Sequence, residues 1–515
     1  MAAHQRLTKN TSYLTMAYII QKALTLGYFI IVARMYGPAG QGQYSAALAF
    51  TALFAVAVDL GISSVLTREV ARHPEKANIL LGQALLFRMV VGLIVYGATL
   101  LVLWGIGDSS HIILLVALAG IASWFDMLAT PCWAVFRGLQ RLQFESSSVL
   151  IVTGIMVGMG TTVALLHGPL YLLIVAIVLS SVFNFFYAVI LLRKKANIYV
   201  SLSYQHVIMR QILIWSAPFA VGVIASRIYT NIDINLLARM AGDAHAGWYS
   251  AANKIVLALQ FIPAAMAAAV YAPMSAQFET DKHQMGRTYA MATYYLMLLV
   301  IPIGVGLAVL APYFISIIGG SEYVQSVPVL QILSIALVSA FLIFPLGSLQ
   351  AASNRQKQNG IIMAVAAVLN VMLNLILIPR YQEVGAAWTS AFTYTFILVV
   401  SVIFTWKLWR SRIKFLLSSF IKMLIASAGM AGVILGIERL YGSVINQYVL
   451  SHIINKQEVV SIMHALGSIM VGAMVYGLLL LLLRGITLRQ IRDVTHSILQ
   501  KDEPLAYEKN SPHNV

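Results

Sequence analysis

The chain has 515 residues, of which 60% are hydrophobic and 10% charged, with a mean hydropathy of +0.83; soluble domains carry roughly a quarter charged residues, so a water-soluble assembly is excluded. A single cysteine, Cys132, excludes a disulfide framework and a Cys-based metal centre. A net charge of +16 would point to nucleic acid in a soluble chain, and its meaning here depends on where the bases fall.

Apolar runs bounded by charges predict an all-α, polytopic membrane protein of about 14 spans, over residues 12–34, 43–66, 78–105, 111–135, 145–166, 170–192, 213–239, 246–272, 288–318, 326–350, 359–379, 385–409, 415–438 and 459–483. The first run is longer than a leader's apolar core and lacks a small-residue cleavage site, so it reads as a span. Of the 34 Lys and Arg, 24 fall between spans on the side of the N-terminus and five on the other side, namely Arg34, Arg239, Arg380, Arg439 and Lys456. The remaining five, Lys22, Arg88, Arg227, Lys254 and Lys422, lie within spans. This asymmetry predicts both termini in the cytoplasm and accounts for most of the basic balance without a nucleic-acid partner.

The outside loops are short, the longest running from about Tyr441 to Glu458, and a charged tail follows Arg484. None can house a soluble catalytic domain. The chain has neither GxxxxGK[ST] nor HExxH, so the motifs give no nucleotide-phosphate cradle and no zinc-peptidase site. Gly154 and Gly158 form a GxxxG in the fifth span and read as a close helix-packing motif. Pro218, Pro263, Pro302, Pro312 and Pro345 interrupt spans 7 to 10, against Pro131 in the first half, which makes the second half the more deformable. Trp133, Trp215, Trp248, Trp388 and Trp409 sit near span ends, where tryptophan forms interfacial belts, and His464 reads as a packed, neutral side chain.

An internal repeat is the most informative feature. The segment 33–47, ARMYGPAGQGQYSAA, matches 238–252, ARMAGDAHAGWYSAA, at ten of fifteen positions without a gap. Both copies fall in an outside turn between an outgoing and a returning helix. Spans 1 to 6 and 7 to 12 therefore form two lobes in the same orientation, related by an axis along the membrane normal, with a binding cavity expected between them. The predicted division is 1–205 and 206–412 for the lobes, 413–484 for two additional spans and 485–515 for the tail. The same offset carries Lys22 onto Arg227 and Thr25 onto Thr230. Thr15, Tyr18, Lys22 and Thr25 make a polar stripe on one helical face, and Arg227, Asn231 and Asn235 make another, so both faces point into the bundle.

At about 1.5 Å per residue, depth predicts which buried charges meet. Arg88 falls level with Asp126, and Asp233 with Lys254; Lys22 lies toward Asp59, and Lys422 is close enough to a span end to snorkel. Arg227 has no acid at its level. Five bases against Asp59, Asp126 and Asp233 leave surplus positive charge in the membrane, which is costly without a use. A guanidinium fork and an ammonium suit a phosphate or diphosphate, so Lys22 and Arg227 lead the candidate anion-binding residues, with Arg88 and Lys254 behind them.

Several short motifs resemble the polysaccharide-export branch of the multidrug/oligosaccharidyl-lipid/polysaccharide (MOP) exporter superfamily, which also holds multidrug-and-toxin exporters and lipid II flippases. They are residues 34–37 (RMYG) with 42–44 (GQY), 59–61 (DLG) with 67–71 (TREVA), 137–140 (RGLQ), 231–233 (NID) with 247–252 (GWYSAA), and Pro263 with 272–275 (APMS). The resemblance implies an O-antigen-type flippase. Such a protein moves a polyprenyl-diphosphate-linked oligosaccharide to the outer leaflet by alternating access, without enzymatic chemistry or a cofactor. Its partners would be membrane lipids and, on the export route, a polysaccharide polymerase and other assembly proteins. A proton or sodium gradient is available as a driving force in a bacterial inner membrane, but the acids that could couple to it, Asp59, Asp126 and Asp233, each have a base within reach, so the sequence assigns no coupling site. Competing readings are a drug or cation antiporter of the same superfamily, which would want unpaired carboxylates in the cavity, a lipid II flippase, and a membrane-embedded glycan polymerase or ligase, which would want a larger outside loop.

Overall fold

The computed structural model describes residues 2–200, 204–452 and 457–485, with side chains described outside 2–12, 14, 217–219, 221 and 440–463. Among the described residues there are helices and turns but no strand. The elements are α1 (Ala2–Asp59), α2 (Ile62–Arg72), α3 (Ala77–Ile106), α4 (Ser110–Gly138), α5 (Leu142–Leu165), α6 (Leu170–Leu191), α7 (His206–Met240), α8 (Asp243–Leu259), α9 (Phe261–Thr280), α10 (Lys282–Val309), α11 (Ala311–Gly319), α12 (Ser326–Ala352), α13 (Gln356–Trp409), α14 (Ile413–His452) and α15 (Gln457–Leu482). Ten apolar helical stretches are long enough to cross a bilayer. The stretch Thr15–Asp59 holds two crossings either side of Gly37, and Gln356–Arg439 holds three. With α7, 35 residues long, the expected 14 spans are present.

The two copies of the repeat fold alike and meet. Gly37 (φ 64°) and Gly242 (φ 107°) occupy equivalent turns, in a backbone region that favours glycine, and each hands the chain to a returning helix. The next shared glycines then cross. A Cβ on Gly42 would lie 1.8 Å from the Asp243 carbonyl oxygen, and one on Gly247 would lie 1.9 Å from that of Pro38. Gly42 corresponds to Gly247 and Pro38 to Asp243 under the repeat offset, so one contact is the two-fold image of the other.

Side chains reinforce this seam. Arg34 donates to the Ile317 (2.6 Å) and Ile318 (3.2 Å) carbonyls at the end of α11, where a cation complements the helix dipole. Its repeat partner Arg239 reaches the other way, to Asp108 in the α3–α4 turn at 2.8 Å. Gln43 donates to Asp243 (2.9 Å), and Tyr323 to the Ala33 carbonyl (3.3 Å). At the far end the lobes part. The inner half of α1 exposes Tyr13, Met16, Tyr18 and Leu24, and α9 buries only Pro263 and Met274. The lobes meet backbone to backbone at the end bearing the repeat turns; toward the other end α1 and α9 expose their side chains, and the lobes touch where α2 and α3 meet α7 beside the lobe linker.

The additional helices α14 and α15 pack on α10 and α11. The Tyr476 hydroxyl donates to the Leu298 carbonyl (3.0 Å), and that of Tyr294 to Gly485 (2.8 Å). The Lys422 ammonium reaches the Arg484 carbonyl (3.2 Å) at the end of α15, in keeping with a snorkelling stem. His464 stacks on Tyr313 at 4.5 Å.

Several expectations change. Gly154 and Gly158 face open space, so the GxxxG packs nothing, whereas Gly160 takes the Tyr28 ring. The expected loop from Tyr441 begins instead with α14, which continues to His452, and the expected tail lies outside the described residues. Pro263 and Pro312 sit in the first turns of α9 and α11 after breaks at Gln260 and Leu310, while Pro131, Pro302 and Pro345 lie inside helices. Pro218 has a side chain outside the described set. Trp133 and Trp409 are buried rather than interfacial.

Arg88 is the largest correction. It is 1% exposed and pairs with Asp59, not with Asp126. Its guanidinium also donates to Ser63 Oγ (2.8 Å) and the Met127 carbonyl (2.6 Å). Asp59 ends α1 at the Leu60–Gly61 turn, which directs its carboxylate to α3 and away from Lys22. The depth estimate holds, because Met127 follows Asp126; the helical face does not, because successive side chains diverge by about 100°.

Gly42→Ala or Gly247→Ala forces backbones apart and is expected to cost about 1–3 kcal/mol. Thermal melting in detergent should fall, and thiol labelling of a cysteine placed at Ala46 in a Cys132→Ala background should rise, while Gly154→Ala changes neither. Arg88→Ala opens a cavity at a buried side chain and leaves the half-buried Asp59 carboxylate without its counter-ion; it is expected to lose about 2–4 kcal/mol, part of it recovered in the Arg88→Met/Asp59→Asn double variant. Equal loss on Asp126→Asn would contradict the pairing.

Candidate functional site

Away from the repeat turns lies a gap between the lobes, walled by the inner halves of α1 and α7 and by α8 and α9. Three of the four predicted cations lie on these helices. Lys22 on α1 and Arg227 on α7 are exposed, and neither has an acidic partner among the described residues. Lys254 on α8 sets its ammonium over the Phe29 ring at 5.6 Å and lies within electrostatic reach of Lys22. Lys22 and Phe29 are seven residues apart and share a face of α1, so this face looks across at α8. Two like charges thus meet where the lobes face one another. Arg88 is absent from this group, being sealed against Asp59 within the N-terminal lobe.

The polar stripes serve different ends. On α7, Asn231 donates to the Arg227 carbonyl and Asn235 to the Asn231 carbonyl, both at 2.9 Å, so these amides are spent on their own helix. On α1, the Thr25 hydroxyl bonds the Lys22 carbonyl (3.1 Å), and the Tyr18 hydroxyl faces Glu145, which pairs with Arg137 at 3.4 Å.

The expected Asp233–Lys254 pair does not form. Asp233 is 2% exposed and turns toward α13, where it accepts from Asn374 (2.6 Å), Ser390 (2.5 Å) and the Tyr249 hydroxyl (2.8 Å). Asn370 adds a second layer, accepting from Asn374 at 3.2 Å and donating to Thr393 at 3.3 Å. Lys254 leaves α8 five residues beyond Tyr249, on another face, toward α1. Asp233 is therefore a buried carboxylate with neutral donors only among the described residues, and Asn374 Oδ1 beside it has no donor. This shell escaped the sequence reading, although Asn370 and Asn374 at i, i+4 in an apolar span were a visible signal. Asp126 likewise has no basic partner among the described residues. It accepts from Asn184 at 3.4 Å and faces Ser181.

The molecule thus offers cations at the seam between lobes, and inside each lobe one carboxylate dressed by hydroxyls and amides. Such a site can hold an anion and pass a solute from one face to the other. It contains no nucleophile–base pair, and no group of three or more His, Cys, Asp or Glu side chains that could hold a metal occurs among the described residues.

Comparison with known proteins agrees with this architecture. A family profile described as polysaccharide biosynthesis protein matches residues 7–279, and one described as MatE matches residues 218–376. The capsular polysaccharide biosynthesis protein CapF of Staphylococcus aureus is 22% identical over 78% of this chain and 99% of its own length. The putative O-antigen transporter of Shigella flexneri is 22% identical over 74% of this chain and 93% of its own. The probable low-salt glycan biosynthesis flippase Agl15 of Haloferax volcanii is 26% identical over 45% of this chain, a match that spans about half of that relative (49%). Among solved structures, the lipid II flippase MurJ in an inward closed conformation superposes with a TM-score of 0.71 at 16% identity, over 95% of this chain and 99% of that one. An inward-facing multidrug MATE transporter gives 0.61 at 16% identity, over 77% and 95%. Its fold is that of MurJ and the MATE transporters, and with more than half of its length matched by the family profile, the chain belongs to the polysaccharide biosynthesis protein family.

Proposed function

We propose that this protein is a flippase that carries a polyprenyl-diphosphate-linked oligosaccharide from the cytoplasmic to the outer leaflet of a bacterial inner membrane, for surface polysaccharide synthesis. The observation that carries the reading is the set of cations without acids, Lys22, Arg227 and Lys254, on the walls of the gap between the lobes. Charge at that depth is costly without a counter-ion, and a diphosphate supplies one. The relatives' named roles in glycan and O-antigen transport support the glycan part of the cargo.

In this reading the end bearing the repeat turns faces outward, with both termini in the cytoplasm, and the substrate's headgroup enters from the inner leaflet while its tail stays in lipid. The diphosphate bridges the facing ammoniums of Lys22 and Lys254 and meets the Arg227 guanidinium. The lobes then rock about the glycine seam and open the other side. No covalent step is involved. A proton or sodium gradient drives the cycle through Asp233, whose neutral shell leaves its charge without a basic counterpart among the described residues. A polymerase and other assembly proteins receive the product.

Arg227→Ala and Lys22→Ala should each lower translocation of lipid-linked saccharide in proteoliposomes roughly 10–100-fold, the size of one charge-assisted contact of about 1.5–3 kcal/mol. In cells the saccharide should accumulate on the inner leaflet while the protein still inserts. Normal export by both variants would overturn the reading. Asp233→Asn should remove the acceleration by an imposed proton or sodium gradient; acceleration equal to the parent's would remove Asp233 from coupling.

A further inference from the structure

A second cavity, of about 270 Å³, lies inside the N-terminal lobe between α1, α4, α5 and α6. We propose that it seats a single sugar ring, the one joined directly to the diphosphate. This inference rests on the flippase reading and adds a specificity pocket to it.

The cavity's walls are polar in a particular way. Asp126, Ser148, Ser181 and Asn184 line one side, Gln21 and Thr25 of α1 the other, and Glu145 closes the pocket. Asn184 is held from behind. Its Oδ1 accepts from Trp133 Nε1 (3.1 Å) and Ser148 Oγ (2.9 Å), which leaves its Nδ2 to donate to Asp126 (3.4 Å). Ser181 faces the same carboxylate. An ionised carboxylate has about four lone-pair sites, so a fixed pair of donors leaves acceptor capacity free on a group that is exposed into the cavity. Glu145 adds negative charge behind the wall: the residue is 5% exposed, one oxygen pairs with Arg137 at 3.4 Å, and the Tyr18 hydroxyl faces the carboxylate.

The ligand must therefore bring hydrogen-bond donors. A phosphate is repelled by two carboxylates. A bare metal ion would want about six oxygen lone pairs converging within roughly 2.0–2.6 Å, whereas the Asn184 amide presents its N–H here. The volume is near the lower end of the roughly 300–1,000 Å³ of small-molecule sites, which is more than one ion fills. A pyranose, with several O–H groups on one rigid ring, complements free acceptors on one wall and an amide and a hydroxyl on the other.

The position fixes which ring. Gln21 and Thr25 adjoin Lys22 on α1, and at about 100° per residue Lys22 projects roughly 60–100° round the helix from them. A diphosphate on Lys22 in the gap thus has its attached sugar at the mouth of this cavity. Later sugars extend into the wider opening, beyond the reach of Asp126.

The test is binding to the purified full-length protein in nanodiscs. The probes are farnesyl diphosphate and its conjugates with single hexoses, 6-deoxyhexoses and N-acetylhexosamines. Expected is at least one conjugate bound tenfold or more tighter than bare farnesyl diphosphate. Asp126→Asn should reduce that conjugate to the level of the bare diphosphate without weakening the latter, and Gln21→Leu, on the opposite wall, should do the same. Lys22→Ala should weaken all probes together. The pocket assignment is overturned if no conjugate exceeds the bare diphosphate, or if the preference survives in both pocket variants. If wild-type protein binds neither bare nor conjugated diphosphate, the flippase reading itself fails.

Discussion

Backbone-to-backbone contact at two glycines, each pressed against a carbonyl oxygen of the opposite lobe, is the constraint on which the architecture rests. It brings helix axes closer than any side chain would allow, and it does so twice about one axis. Because the turns before these glycines have the same shape, the first helices of the two lobes descend from a common point. Residues at equal distance from the turns then lie at equal depth on opposing walls, which is how Lys22 and Arg227 come to share a level. Arg34 and Arg239 secure the arrangement from opposite sides, one on a helix dipole and one on a carboxylate.

The charges form two populations with different physics. Lys22, Arg227 and Lys254, on the helices between the lobes, are basic and short of acids among the described residues; Asp126 and Asp233 inside the lobes are solvated by neutral donors, while Asp59 and Glu145 pair with Arg88 and Arg137. Two ammoniums facing each other across a gap resist its closing, and in a medium of low dielectric the resistance is larger than in water. An anion between them lowers it. In the proposed cycle, electrostatics of this kind would tie movement of the lobes to the presence of cargo without a dedicated sensor.

Much of this was legible in the residues. The repeat at 33–47 and 238–252 was detectable because close approach demands the same small residues in both copies, and depth was readable because a helix rises uniformly. Facing was not. Asp126 and Met127 lie at one level, yet only the latter's carbonyl meets Arg88, since a single step turns the side chain to another neighbour. The shells around Asp126 and Asp233 were legible only in part: the Asn370 and Asn374 spacing was a signal, but Ser181, Asn184, Ser390 and Tyr249 come from separate helices that only tertiary packing collects. The GxxxG at Gly154 misled for the converse reason, since small residues permit contact but do not supply a partner.

The two helices appended after α13 have a mechanical consequence. They are bound to α10 and α11 and therefore travel with one lobe, so that any rocking sets a body of eight spans against one of six. In a viscous bilayer the lighter body turns through the larger angle. In the proposed cycle the walls that carry Lys22 and the Asp126 cavity would thus be the ones that swing, with the heavier half as the anchor.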